Sequence, residues 1–381
     1  MRLTTPFIRR LPYDSEGQAS RESSTAIISS SSRLPKRILF VTGHAHLPEL
    51  VGGMEVNTHR LAICLKEQGY DVAVHCALLG RGLFGSISRL RRKVLGCTSV
   101  TDHGLSYPVT RSWRPEDSIP DVIDRFKPDL CILQGGAKAP FFIDTLSRLS
   151  QPFFYYQHNP QPLDRSTIDC HNLFIVANSF FTSSFYPEDR ILDIIPPIVD
   201  PLLYRTYTDH THILFVNPAP HKGLDIALDL AYYRPDIPFL FLRQHRKQLR
   251  SYPLPPNVHL RGPYADTRKA YSRTGLVLAP SQWDETWGRV ISEGQCSGIP
   301  ALTSDSGGLP EAVRGGGICI PRHAPHATWR SALSAIWDQP AHRQRLSRLS
   351  HLNAHRGPCS PNQAVQKLTR AMHRVYESHP R

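Results

Sequence analysis

From Lys36 onward the chain repeats one pattern, a short apolar run followed by a stretch whose apolar positions recur every three or four residues. The runs RILFVT (37–42), DVAVHC (71–76), DLCIL (129–133), PFFYYQ (152–157) and LFIVAN (173–178) predict strands. Between the first two, Met54, Thr58, Leu61, Ala62 and Leu65 share one face of a 3.6-residue period, which predicts a helix from about 53 to 68 that stops at Gly69. Alternating strands and helices imply a parallel sheet with right-handed crossovers. After Ile195-Pro196-Pro197 the pattern restarts with HILFVN (212–217), a helix from about 223, PFLFLR (238–243), NVHLRG (257–262), GLVLAP (275–280), a helix from about 287, and IPALT (299–303). Helical patterns fill 327–351 and 361–378.

The division that follows is a flexible Ser-rich extension at 1–35, an α/β domain at 36–198 and a second at 199–358. Residues 359–381 are expected to form a helix that returns to the first domain.

Composition narrows the class. At 381 residues, with 40% hydrophobic and 20% charged, the chain is globular and neither disordered, collagen-like nor a coiled-coil rod. No apolar stretch approaches the ~18 residues of a membrane-spanning helix. The eight cysteines form no C-x-x-C pair, which argues against a zinc site or disulfide framework. The first residues carry basic groups without an apolar core, so no secretory signal is expected and the location is read as cytoplasmic. The net charge of +13 is concentrated in the two termini and in residues 81–93, which hold five Lys/Arg and no acid. Charge placed this way suits attachment to a surface better than a groove tracking a phosphate backbone, and no nucleic-acid partner is expected.

In open parallel sheets ligands bind beyond the carboxyl ends of the strands, so the strand-end loops carry the candidate chemistry. Gly52 and Gly53 open the first helix, where paired glycines admit close backbone approach to an anion or sugar, although such a pair is often a plain turn. His221-Lys222-Gly223 places an ammonium beside a helix start, a phosphate site by simple electrostatics or else a solvated lysine. Glu285 and Glu293 flank Gly288 and Arg289. Eight residues on a continuous helix span about 12 Å and ~80° of rotation. That separation is wrong for a pair of retaining glycosidase carboxyls, about 5 Å apart. It suits one carboxylate that holds the end of an extended ligand and another that accepts hydrogen bonds from a diol, with the N–H groups of Gly288 and Arg289 between them for a diphosphate.

The run from Asn257 to Val313 resembles the donor half of retaining glycosyltransferases of family 4, with the E-x7-E element (Glu285, Glu293) and the Gly-Gly-x-Pro-Glu element (Gly307 to Glu311). The Gly-Gly loop at 52–53, His158 after PFFYYQ, and Lys222-Gly223 follow in the same order, so the likeness covers roughly residues 36–325. It implies the GT-B fold, an α/β architecture of two facing Rossmann-like domains with a nucleoside-diphosphate sugar as donor substrate in the cleft, and neither a metal nor another cofactor. It further implies Glu285 on the donor sugar, Glu293 on the ribose, Lys222 on the diphosphate, His158 near the transferred sugar, and Gly53 facing the donor. The chain contains no D-x-D element. Two departures bear on donor identity. Asn217-Pro218 stands where many relatives have Gly-Arg, with Arg243 or Arg289 expected to supply the missing cation, and Leu242-Arg243-Gln244-His245 replaces a glycine-rich turn.

The implied activity is transfer of a hexose to an acceptor hydroxyl in polysaccharide, lipopolysaccharide or glycoconjugate assembly, the acceptor being a saccharide, a lipid-linked sugar or a small molecule. A non-catalytic carbohydrate-binding protein of the same fold and a nucleotide-sugar epimerase are the competing readings. Residues 81–94 place Leu83, Phe84, Ile87, Leu90 and Val94 at helical offsets among Arg81, Arg89, Arg91, Arg92 and Lys93. Such a helix suits an anionic membrane surface at the inner face, or else packs on its own domain with a solvated outer side.

Overall fold

A computed structural model describes residues 34–244, 249, 253–264 and 266–379. Apart from Leu34 and Pro35, the expected extension at 1–35 lies outside the described residues. The first sheet contains β1 (Arg37–Ala45), β2 (Asp71–Ala77), β3 (Ser99–Asp102), β4 (Val109–Ser112), β5 (Leu130–Gln134), β6 (Phe153–Gln157), β7 (Ile175–Ala177) and β8 (Ile191–Ile194), in the order 3-4-2-1-5-6-7-8. All its neighbours are parallel except β3, which runs antiparallel to β4 at the edge. The apolar runs had pointed to parallel strands throughout. SVTD and VTRS are too short and polar to register as strands, and β4 is recruited by pairing with β2.

The second sheet contains β9 (His212–Val216), β10 (Phe239–Leu242), β11 (Val258–Arg261), β12 (Thr274–Ala279), β13 (Ala301–Ser304) and β14 (Gly317–Ile320), ordered 11-10-9-12-13-14 and wholly parallel. The central strands read as unbroken apolar runs because helices cover both faces. Ile38 and Phe40 enter one core cluster and Leu39 and Val41 another, on the opposite side of the same sheet. The same split separates Ile213 and Phe215 from Leu214 in the second domain.

The chain passes from one sheet to the other between Ile194 and His212 and comes back through the helix Pro361–Glu377. Ala364, Val365, Leu368, Met372 and Val375 on that helix join the core of the first domain, and Lys367 reaches Asp193 at 2.7 Å. Among the described residues no helix is long and apolar enough to cross a membrane.

Candidate functional site

Both sheets aim their carboxyl ends at a cavity of about 430 Å³ walled by both domains. Gly52, Gly53, His59 and Arg60 line it from the first domain, and Lys222, Glu285, Gly288, Arg289 and Glu293 from the second. Leu203 and Tyr204 of the connecting segment complete the wall.

Lys222 ends a 3-10 turn, Pro220–Lys222, and Gly223 follows with φ +80°. A Cβ at Gly223 would lie 2.0 Å from the Pro280 carbonyl oxygen, so only glycine lets the turn close against the end of β12. Gln282 N–H then bonds to His221 O at 2.9 Å, and the two loops run side by side. The Lys222 ammonium donates to Glu285 Oε1 across 63 positions of sequence. An ammonium carries three N–H donors, so this bond leaves others for a phosphate.

The Gly-Gly-x-Pro-Glu element has a job for each half. Gly307, at φ +58°, sits where a Cβ would come within 2.2 Å of Glu285 O, and Gly308 N–H donates to that oxygen at 2.7 Å. The glycines thus cradle the backbone that presents Glu285. Glu311 faces the other way and accepts the N–H groups of Phe180 (2.7 Å) and Phe181 (2.8 Å) in the first domain. Thr286 adds a second clasp, accepting from Asn178 at 2.9 Å and donating to the His158 carbonyl at 3.2 Å.

Glu293 is held at 2.9 Å by both the Arg289 guanidinium and the Tyr271 hydroxyl. Burial pushes its carboxyl up against the pull of these two partners. Arg289 does not occupy the place expected of a phosphate cation. Its Nε serves Glu293, Nη1 donates to Ile198 O and Nη2 to Tyr204 Oη, both at 2.7 Å. Arg243 follows β10 without reaching the cavity wall, whereas Asn217 does line it. Asn217 adopts φ +58°, a left-handed conformation that asparagine tolerates nearly as glycine does, which explains why it can stand at a glycine position.

His158 is not among the residues that line the cavity. Its ring is tilted on Tyr156, centroids 4.1 Å apart, and its Nε2 is 3.2 Å from Gln134 Nε2. Burial lowers its pKa to about 3, so the ring is neutral at ordinary pH. At the other wall Gly52 and Gly53 differ. A Cβ on Gly52 would strike the Glu55 carboxylate at 2.5 Å, while Gly53 opens on free space. Glu55 is buried beneath this loop and its carboxyl is pushed up to about 7 by desolvation, opposed by bonds to the backbone of Glu55 and Gly52.

Several wall residues left little trace in sequence. His59 and Arg60 fall off the apolar stripe of their helix, yet both are buried, because the helix Gly53–Glu67 meets the sheet on one side and the connecting segment on another. His59 Nδ1 and His46 Nε2 each lie 2.9 Å from Tyr107 Oη, and Arg60 pairs with Asp200 at 3.2 Å. Tyr271 sits inside the run that carries the family resemblance, and its spacing to Glu293 held no signal of contact.

With this geometry in place the comparisons can be set beside it. Residues 213–350 match the family described as glycosyl transferases group 1. The match lies within the second domain. Among curated relatives, a D-inositol 3-phosphate glycosyltransferase of Corynebacterium glutamicum (strain R) is 36% identical over 86 residues, 22% of this chain and 20% of that protein. The chain thus matches about a fifth of the length of that relative. Two solved structures share the arrangement of both domains. Sucrose-phosphate synthase from Thermosynechococcus elongatus superposes with a TM-score of 0.71 at 12% identity, covering 90% of this chain and 100% of that one. Anabaena HepE, solved with UDP and glucose, gives 0.66 at 17% identity, covering 87% and 98%. The fold is GT-B, two facing Rossmann-like α/β domains.

Proposed function

We propose that the protein is a retaining hexosyltransferase that moves a sugar from a nucleoside diphosphate to an acceptor hydroxyl in polysaccharide, lipopolysaccharide or glycoconjugate assembly. The observation that carries this reading is the convergence of Lys222, Glu285, Gly288 and Glu293 on one interdomain cavity that Gly52 and Gly53 face from the opposite wall. Glu293 takes the ribose diol, Lys222 and the amides at Gly288 and Arg289 take the diphosphate, and Glu285 takes the sugar hydroxyls. His158 does not line the cavity, so this reading gives its side chain no contact with the sugar. As the bond from C1 to the phosphate oxygen breaks, its electron pair goes to the leaving diphosphate, whose growing charge Lys222 stabilises. The acceptor oxygen bonds to C1 on the same face and its proton passes to the departing phosphate oxygen. Cationic side chain and helix amides supply the electrostatics, and the reading calls for no metal. A thermal-shift screen of UDP, GDP, ADP and their sugars tests it: a ligand at about 100 times its Kd raises stability by about 2.7 kcal/mol. Silence from every nucleotide would refute it.

The acceptor, a saccharide, lipid-linked sugar or small molecule, enters from the first domain. The helix Gly82–Leu95 begins beyond the carboxyl end of β2, on that same side. Its apolar stripe is divided. Phe84 lies under the Arg111 guanidinium, while Leu83 (73%), Leu90 (61%) and Val94 (75%) are exposed beside Arg89, Arg91 and Lys93. This supports docking on an anionic membrane at the cytoplasmic face, each nearby cation contributing about 1 kcal/mol. Co-sedimentation with phosphatidylglycerol vesicles, lost in Leu90→Glu and absent with phosphatidylcholine, is the expected outcome.

A further inference from the structure

The segment that joins the two domains is gripped from both sides, by Arg60 and Arg289 of the cavity wall and by the buried amide of Asn57. From the first domain, Asn57 Oδ1 accepts Ile198 N–H at 2.8 Å and Arg60 pairs with Asp200 at 3.2 Å. From the second, Arg289 donates to Ile198 O and Tyr204 Oη, both at 2.7 Å, with its guanidinium 5.6 Å from the Tyr204 ring centroid. The third arm of the same guanidinium holds Glu293 at 2.9 Å. A planar fork whose three nitrogens each have a fixed acceptor cannot shift at one arm without straining the other two. Arg289 is therefore a mechanical link between the carboxylate in the cavity and the hinge.

We propose that Arg289 is a positioning residue that couples the grip of Glu293 on the donor ribose to the interdomain linker, so that occupancy of the nucleotide site is felt at the hinge. The inference rests on the reading of the cavity as a nucleotide-sugar site. A carboxylate has about four lone-pair positions, so Glu293 can keep Arg289 and Tyr271 while accepting two ribose hydroxyls. Those hydroxyls order Glu293, Glu293 orders the fork, and the fork immobilises Ile198 and Tyr204. The free energy for this comes from the difference in ribose affinity between the ordered and loosened arrangements, as linkage requires. The Arg289 side chain acts here through Glu293 and touches no reacting atom.

Hydrogen exchange of the full chain, with and without saturating UDP, GDP or ADP, reads the coupling. The expected result is that the nucleotide that binds slows exchange of the Ile198 and Val199 amides about tenfold in the wild type. In Arg289→Lys, which retains the charge for Glu293 but loses the fork, the nucleotide still binds and this protection disappears. Tyr204→Phe removes a single acceptor and keeps the ring; it gives a partial loss and serves where the lysine variant does not fold. Linker protection of wild-type size in a variant that binds nucleotide overturns the proposal. Failure of all three nucleotides to bind the wild type sinks the underlying site reading instead.

Discussion

Lys222 and Glu285 form the most consequential pair at the scale of single residues. On the proposed mechanism, removing the ammonium leaves the leaving group's charge to the helix amides alone, so Lys222→Ala is expected to lower kcat about 10²–10³-fold, the cost of deleting one preorganised electrostatic contact. Steady-state kinetics with the donor found by thermal shift measures it, and an unchanged kcat contradicts the role. The glycines offer a sharper contrast. Gly53→Ala meets nothing within 4 Å and should leave the melting temperature within a degree or two of wild type while raising the donor KM, because the methyl enters the cavity. Gly307→Ala combines a left-handed φ with a 2.2 Å approach to Glu285 O, so it should lose both stability and turnover. Glu55 was silent in sequence, since a glutamate early in a helix reads as an ordinary first-turn acid, and only its burial marks it out.

Elements set where these residues stand. The short helix Arg289–Gln295 carries both Arg289 and Glu293, four apart on one face. Glu293→Gln would leave a buried guanidinium without its anion, which costs about 3–5 kcal/mol. Urea unfolding should register that loss even without donor, and a variant as stable as wild type would show that the pair is dispensable. Clasps between elements matter as much. The helices beginning at Phe180 and Leu309 meet through Glu311, and Thr286 ties its loop to His158 and Asn178. The Gly-Gly-x-Pro-Glu element was visible as a motif, but the split between glycines that shape a loop and a glutamate that reaches the other domain could be known only once the second partner was in place.

For the whole molecule, acid sensitivity follows from the first domain's buried histidines. Desolvation lowers His46 to about 3 and His59 to about 4 from 6.5. A depressed pKa gives stability that is fully present above pH 6.5 and is lost as pH falls through the folded value, about 2 kcal/mol per histidine by pH 5. Glu55 works in the opposite sense. Its carboxyl is raised from 4.5 to about 7, so its contribution is present below pH 4.5 and is lost as pH rises toward and through 7. Urea midpoints measured from pH 7.5 to 5 should therefore fall less in His59→Gln and more in Glu55→Gln than in the wild type. Parallel curves for all three proteins would refute the assignment.

Repeated apolar runs and helical periods were enough to indicate two parallel α/β domains, since burial on both faces of a sheet writes itself into consecutive residues. The spaced motifs from Asn257 to Val313 also singled out Glu285 and Glu293 through the resemblance they carry, and the glycines because the local shape of each loop needs them. Partner choice was not local. Lys222 meets Glu285 across 63 positions and Arg289 turns to Ile198 and Tyr204, while Arg243 falls outside the cavity wall. A side chain's charge and reach are written in the sequence, but which of several oppositely charged groups it meets depends on how the strands are ordered and how the two domains close on each other, and that only the tertiary structure decided.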